Sequence, residues 1–477
     1  MSVKYHQMSL SEMYSDCRDM FHDNAPSFFQ LLEERADLEE FIPSAFYSAF
    51  YQSTGRNRVY SLHGFLSALV LQKILSIPTD ALLITLLSLC TELRDFCGFT
   101  KIPDAPLITR FKQTFAPHLK LMFDNMVDYT EPICQAIDNV LANTLAFDTS
   151  GVELYVAENN PKELNSLIRK LKAYYKGNPS VDPYKMAYGL MPSQAASCPD
   201  AKQQYINGHF CYANKFAILT NGLGVIRHIE FLDDDFKAGH PEMSAGKKSD
   251  SPDEDKSIGD SSALKPVLSA FFALHPCIRP DTFLGDSAFD TIDTYSALKN
   301  DFLFSKAIIP YNPRNESPLK KAGYNIYGYP TCPRNSDLDM KHIGRCHEKG
   351  RADRLKWGCP KFRVVKGEPV CDCPDPCSTA KFGRTTYTYE DMDFRMFPGV
   401  QRDSGEWVSL YKIRTVVERA INHLKINMCV AGKKSRNHLT TKADVYLAGI
   451  ASQFTAIVAH RMNRPQYIRS LKPLLAA

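Results

Sequence analysis

Tyr411, Arg414, Glu418 and Lys425 punctuate one segment, Tyr411-Lys-Ile-Arg-Thr-Val-Val-Glu-Arg-Ala-Ile-Asn-His-Leu-Lys425, whose apolar spacing reads as a helix. At about 100° per residue the four side chains fall within an arc of ~60°, spread along ~21 Å of helix axis. One carboxylate therefore stands in a row with two cations and a phenol. A carboxylate can hold a divalent cation, and a row of cations can hold phosphates. In isolation, an exposed helix with ordinary ion pairs would look the same.

Two more acids stand where strands would end. Asp148 follows Thr144-Leu-Ala-Phe, and Asp286 follows Thr282-Phe-Leu-Gly. Cleavage of a nucleic-acid strand by two divalent cations needs carboxylates that keep the ions roughly 3.5–4 Å apart around one phosphate. Magnesium prefers oxygen ligands and retains several waters, so two or three carboxylates suffice. Neighbouring strand ends met by a helix carrying a third acid can build that arrangement. Asp148, Asp286 and Glu418 have these placements, although each alone could be a turn-capping residue. Asp281, Asp290, Asp293 and the run Asp233-Asp234-Asp235 compete for the middle role. Asp286 is preferred because it ends a predicted strand, whereas the Asp233–Asp235 run reads as a solvated turn.

The elements that must position these acids follow a recognisable order. Residues 1 to about 140 read as helical: Leu62 to Leu75 has helix-compatible apolar spacing, Pro78-Thr79-Asp80 breaks it, and Ala81 to about Phe96 continues. Asp104 is a plausible N-cap for a further helix with Pro106 in its first turn. The start of that helix offers Thr109, Arg110 and Lys112 to a DNA groove, or else joins a plain helical bundle. From Asn143 the period changes. A strand at Thr144–Asp148 precedes two strands flanking Asn221-Gly222, a hairpin signal. A polar linker over 237–262, a helix from Leu264, the strand Thr282–Asp286, a helix near 290–300 and a strand from Phe304 to Pro310 lead to the Tyr411–Lys425 helix. The order β-β-β-α-β-α-β-α predicts an α/β catalytic domain over 141–460, with a mixed five-stranded sheet flanked by helices in the RNase H-like manner. The helical residues 1–140 would form a separate all-α domain, and 461–477 a tail.

Two insertions interrupt the scheme. Residues 153–207 are rich in lysine and tyrosine, including Arg169-Lys170-Leu-Lys172-Ala-Tyr174-Tyr175-Lys176. Basic groups interleaved with aromatics suit phosphate contact and base stacking, and Lys172 is central to that cluster; a solvated helix is the alternative. Residues 313–405 are cysteine-rich, with Cys332, Cys346, Cys359, Cys371, Cys373 and Cys377 and the histidines His342 and His347. Cys359, Cys371, Cys373 and Cys377 offer a structural zinc site; reduced, unliganded thiols are the other reading. The spacing is not the paired C-x2-C form.

Composition sets outer bounds. A chain of 477 residues, 44% hydrophobic, has room for two or three domains, and its net charge of +4 is too mild to announce a polyanion by itself. No secretory signal is visible, and the most apolar run, Ala81–Cys90, is too short to span a bilayer, so a soluble intracellular protein with reduced cysteines among its 14 is expected. No glycine-rich phosphate loop is seen, so ATP dependence is not expected.

The spacing Tyr411-x2-Arg414-x3-Glu418-x6-Lys425 resembles the Y-R-E-K signature of DDE transposases of bacterial insertion sequences, in the broad IS4-like superfamily. Phe147-Asp148-Thr149 and Leu284-Gly-Asp286-Ser-Ala-Phe-Asp look like the family's segments around its first and second catalytic aspartates. Leu62 to Phe115 resembles its helical N-terminal domain, which implies that residues 1–140 serve DNA-end binding or assembly. The likeness covers most of residues 60–460, and the insertions after Asp148 and before Glu418 depart from it. The resemblance implies that Asp148, Asp286 and Glu418 hold two Mg²⁺, which Mn²⁺ could replace, while Tyr411, Arg414 and Lys425 grip phosphates. It implies binding of terminal inverted repeats, strand cleavage and strand transfer on double-stranded DNA by at least a homodimer in the bacterial cytoplasm, away from any membrane. A nuclease that cuts without joining, and a transposase-derived DNA-binding regulator without catalysis, are the alternatives.

Overall fold

The computed structural model describes residues 28–475 except 33, 55–56, 207–208, 245–257, 313–322, 326, 390–393, 403 and 433–434. The helical expectation for residues 1–27 and the middle of the 237–262 linker lie outside the described residues.

In chain order the helices are α1 (Ser44–Phe50), α2 (Leu62–Ile74), α3 (Asp80–Leu89), α4 (Thr91–Phe96), α5 (Ala105–Ile137), α6 (Asn139–Ala142), α7 (Pro161–Tyr174), α8 (Pro183–Leu190), α9 (Asp234–Gly239), α10 (Asp260–Leu274), α11 (Ile292–Ser296), α12 (Gly405–Ile413), α13 (Thr415–Asn422) and α14 (His438–Arg461). The main strands are β1 (Thr144–Glu153), β2 (Gln194–Ala195), β3 (Cys198–Ile206), β4 (His209–Asn221), β5 (Ile226–Phe231), β6 (Thr282–Leu284) and β7 (Lys306–Ile308). Contacts group the chain into two units. The first comprises Met1–Ala142, Asp148–Ile278 and Val416–Ala477; the second comprises Asn143–Phe147 and Arg279–Thr415.

The first unit is built around α5 and α14. Asp104 caps α5 as its sequence predicts, accepting from the Leu107 amide at 2.8 Å, with Pro106 in the first turn. The helix runs 33 residues through Pro117 and Pro132. An interior proline costs about 3 kcal/mol, but the buried stripe Ile108, Phe111, Phe115, Leu119, Met122 and Met126 keeps one face of α5 in the core. α14 is buried along most of its length. A Cβ at Gly449 would lie 2.8 Å from the Phe123 ring and 3.0 Å from Ile229 Cδ1, so only glycine lets α14 seat between α5 and β5. The expected helix from Ala81 to Phe96 is split at Cys90, whose extended backbone ends α3 and whose thiol caps α4 through the Leu93 amide.

Charges are buried in this helical core. Lys73 pairs with Asp444 at 2.9 Å, and Lys112 pairs with Asp444 at 3.1 Å and Asp80 at 2.7 Å. Both lysine side chains are fully enclosed. Lys112, expected on a groove-facing surface, is therefore a core residue. Its ammonium is compensated by two carboxylates that local sequence does not place beside it.

Among the described residues the sheet is mixed and has seven strands rather than five. In the first unit the order is β2-β3-β4-β1, with β5 also on β4. β2 and β3 come from the segment read as a basic insertion, and they escape a periodicity reading because β3 is polar. Its Gln203 and Gln204 are buried, and Gln204 Nε2 satisfies itself on the Ala213 carbonyl at 2.7 Å. The β4–β5 hairpin forms as expected, but the left-handed residue is Gly224 (φ +83°), not Gly222. Asn221 organises this longer turn, its Oδ1 accepting from the Val225 amide at 3.0 Å. In the second unit the first residues of β1 pair parallel with β6, and β6 pairs parallel with β7.

The cysteine-rich part of the second unit folds as small antiparallel pieces. These are β8 (Thr331–Cys332) with β9 (Asn335–Asp339), β10 (Lys341–Cys346) with β11 (Arg354–Gly358) and β14 (Thr385–Tyr389), and β12 (Phe362–Val365) with β13 (Glu368–Cys371). Trp357 anchors the three-stranded piece, buried with its indole N–H donating to Thr388 Oγ1 at 2.9 Å. Among the described residues, no helix is long and apolar enough to cross a membrane.

Candidate functional site

The rungs Thr144–Thr282, Leu145–Phe283 and Ala146–Leu284 fix the parallel register of β1 and β6. Asp148 lies two residues beyond Ala146, and Asp286 two residues beyond Leu284. Both carboxyls are partly buried and turned onto local amides: Asp148 Oδ1 accepts from Thr149 N at 2.8 Å, and Asp286 Oδ1 from Ser287 N. Asp286 thereby caps the short 3-10 turn Ser287–Phe289, the structural role that a strand-end aspartate commonly has. Beside Asp148, the Thr149 hydroxyl donates to Asp260 Oδ1 at 2.6 Å, and Lys215 holds the same oxygen at 2.7 Å. Burial would raise the Asp260 pKa, but Lys215 and Thr149 outweigh it and hold the carboxyl below its usual range.

The rival acids have other work. Asp290 is fully buried and clamped by Arg395 through two hydrogen bonds of 3.1 and 2.8 Å. Asp233 is not in a solvated turn. It is buried, caps α9 through the Phe236 amide, and pairs with His438 at 2.9 Å and Lys442 at 2.5 Å. Burial pushes its pKa up, yet His438, Lys442 and the amide together hold the carboxyl well below the ordinary range. Its neighbours Asp234 and Asp235 are exposed as expected.

The Tyr411–Lys425 segment is helical but not one uniform α-helix. α12 ends at Ile413 with Arg414 as its C-cap, α13 starts at Thr415, and a π-helical turn covers His423–Asn427. Fewer degrees per residue in a π turn rotate Lys425 away from the row drawn at 100°. Within the second unit the Arg414 guanidinium stacks 5.8 Å from the Tyr411 ring centroid. Within the first unit Glu418 is exposed, while Val416, Val417, Ala420 and Ile421 form the buried face of α13. Lys425 is partly buried and donates to Ser150 Oγ at 3.2 Å. Burial pushes its pKa down, opposed by Cys211 and Glu153 nearby.

α2 to α5 pack as a bundle in which Arg110 stays exposed on the first turns of α5. Residues 16–114, which include these helices as far as the start of α5, match the model of a transposase domain (DUF772). The match supports a transposase. Among curated proteins no sequence matches the chain.

Outside the segment matched to the transposase domain, the lysine- and tyrosine-rich stretch forms α7 and α8. Only Ile168 of α7 is buried, which leaves Arg169, Lys170 and Lys172 exposed. Lys172 donates to the Tyr184 hydroxyl at 2.6 Å and sits 4.3 Å from that ring's centroid, while Tyr174 is 81% exposed. Cations and open aromatic faces do coexist on this surface.

Among the described residues, two groups of potential metal ligands come within 4.8 Å of one another: Asp124 with His228 and His275, and Glu153 with His209 and Cys211. Neither includes Asp148, Asp286, Glu418 or any of Cys359, Cys371, Cys373 and Cys377. These four cysteines are free; Cys371 is exposed, and the Cys373 thiol donates to the Asp375 carbonyl at 3.2 Å. Sequence inspection misses the Asp124–His228–His275 group because its members are about a hundred and fifty residues apart at the extremes, without a local motif. Their one shared signal, a histidine or aspartate in an otherwise apolar stretch, is commonplace.

Proposed function

We propose that the chain is a DDE transposase of an insertion sequence with an RNase H-like catalytic domain. It binds the element's terminal inverted repeats, hydrolyses a phosphodiester to free a 3′-hydroxyl, and joins that hydroxyl to target DNA, acting as at least a dimer. The observation that carries this reading is the β1–β6 register, whose last rung, Ala146–Leu284, precedes each aspartate by two residues in its own strand direction. The transposase-domain match supports it from an independent part of the chain.

In this reading Asp148, Asp286 and Glu418 hold two Mg²⁺, for which Mn²⁺ can substitute. Hard oxygen donors that remain partly or fully exposed are the donor set such a cation prefers. When bound, Mg²⁺ stabilises charge on the phosphate and lowers the pKa of a bound water. Arg414 and Lys425 neutralise phosphates near the transposon end, with Tyr411 supplying a hydroxyl and an aromatic face. Arg110 and Lys172 extend the DNA contact, and Cys359, Cys371, Cys373 and Cys377 either hold a structural zinc or remain thiols.

Incubation of the protein with Mg²⁺ and a labelled duplex carrying the element's end tests the reading. Joined product is the expected result. Cleavage without joining would mean a nuclease, and binding alone a DNA-binding regulator.

A further inference from the structure

We propose that Asp124, His228 and His275 form a zinc site inside the first unit, chemically distinct from the magnesium-holding carboxylates and from the cysteine cluster. Asp124 lies on α5, His228 on β5, and His275 is the residue that ends α10. One potential ligand atom from each comes within 4.8 Å of the others. Both histidines are 0% exposed and Asp124 is 8% exposed.

Each of the three side chains carries a buried polar atom without a hydrogen-bond partner. Asp124 Oδ1, His228 Nδ1 and His275 Nε2 are buried and unsatisfied. Native interiors rarely tolerate several such atoms in one place, because burial strips each of its water. The other sides of the same groups are engaged. His275 Nδ1 lies 2.7 Å from Asp128 Oδ1, which fixes Nδ1 as the protonated nitrogen and leaves the Nε2 lone pair directed away from that carboxylate. Asp124 Oδ2 accepts from Lys120 at 3.0 Å, and His228 Nε2 stands 3.4 Å from Glu230 Oε2. A ligating imidazole oriented by a carboxylate on its far nitrogen is the usual construction of a protein metal site.

Two imidazoles and one carboxylate select the metal. Nitrogen donors suit zinc, whereas magnesium takes oxygen ligands and keeps its waters. Zinc here would join α5, β5 and the end of α10, giving a structural tie within the core of the first unit.

The test uses the full chain, dialysed free of metal and titrated with Zn²⁺ alone, with metal content, melting temperature and X-ray absorption as readouts. One equivalent of zinc with a nitrogen and oxygen shell, a rise in melting temperature on binding, and retention after serine replacement of Cys359, Cys371, Cys373 and Cys377 are expected. His275→Gln and Asp124→Asn should each weaken zinc binding at least tenfold. If either variant fails to fold, the absorption spectrum of the unaltered chain still decides. No bound zinc, zinc held only by sulfur, or undiminished affinity in His275→Gln would overturn the proposal.

Discussion

Lys425 donates its ammonium to Ser150 Oγ across 3.2 Å, which ties the end of the Tyr411–Lys425 segment to β1 two residues beyond Asp148. The link matters because both partners flank acids assigned to the same chemistry. If Lys425 neutralises a phosphate, Lys425→Ala should reduce strand transfer at least tenfold, equivalent to about 1.4 kcal/mol of transition-state stabilisation. Ser150→Ala removes one hydrogen bond, worth roughly 1 kcal/mol, and should cost several-fold at most. Single-turnover rates on end-bearing DNA measure both.

The buried ion cluster predicts a stability effect remote from DNA. Asp444→Ala would remove the carboxylate that pairs with the enclosed ammoniums of both Lys73 and Lys112. Breaking a buried pair on one side costs about 3–5 kcal/mol. Urea denaturation of Asp444→Ala should show a loss of this order, and adding Lys73→Met should recover part of it. Equal stability of wild type and Asp444→Ala would show that the cluster contributes nothing.

Asp233 predicts a pH dependence with a definite sign. Its folded carboxyl has a depressed pKa, so its stabilisation is full above the unfolded value, about 3.9, and is lost as pH falls toward the folded one. Asp233→Asn should therefore reduce stability at neutral pH and flatten the acid-induced loss below about pH 4. Melting temperatures of both proteins across pH 3 to 7 would test this; parallel curves would exclude Asp233 as the source.

These two cases mark where sequence reading stops. The acids at strand ends, the Asp104 cap and the hairpin at Asn221 are local features, fixed by residues within a few positions of each other. Lys112 and Asp233 read as surface residues because charge normally seeks water, and their compensating partners Asp444 and His438 are hundreds of residues away. β3 hides for the same kind of reason, since Gln204 looks solvent-facing until Ala213 supplies an acceptor. The π turn at His423–Asn427 leaves no mark in a hydrophobic pattern, so α-helical spacing puts Lys425 in line with Glu418 where the π turn does not.

The exposed cations on α7 predict a salt signature. Lys172→Ala should weaken binding of duplex DNA about equally across sequences and reduce the slope of log K against log salt by about 0.9, the loss of one phosphate contact. Arg110→Ala should act similarly if α5 meets the backbone. Fluorescence anisotropy over a salt series measures the slope, and an unchanged slope for Lys172→Ala would remove α7 from the DNA-binding surface.

The central assignment is the trio Asp148, Asp286 and Glu418, and single-turnover cleavage of a labelled transposon end in Mg²⁺ tests it most directly. Asp148→Asn, Asp286→Asn and Glu418→Gln should each retain end binding and lose cleavage by at least about a thousandfold, roughly 4 kcal/mol. Cleavage at the wild-type rate by Glu418→Gln, or by either aspartate variant, would contradict the account.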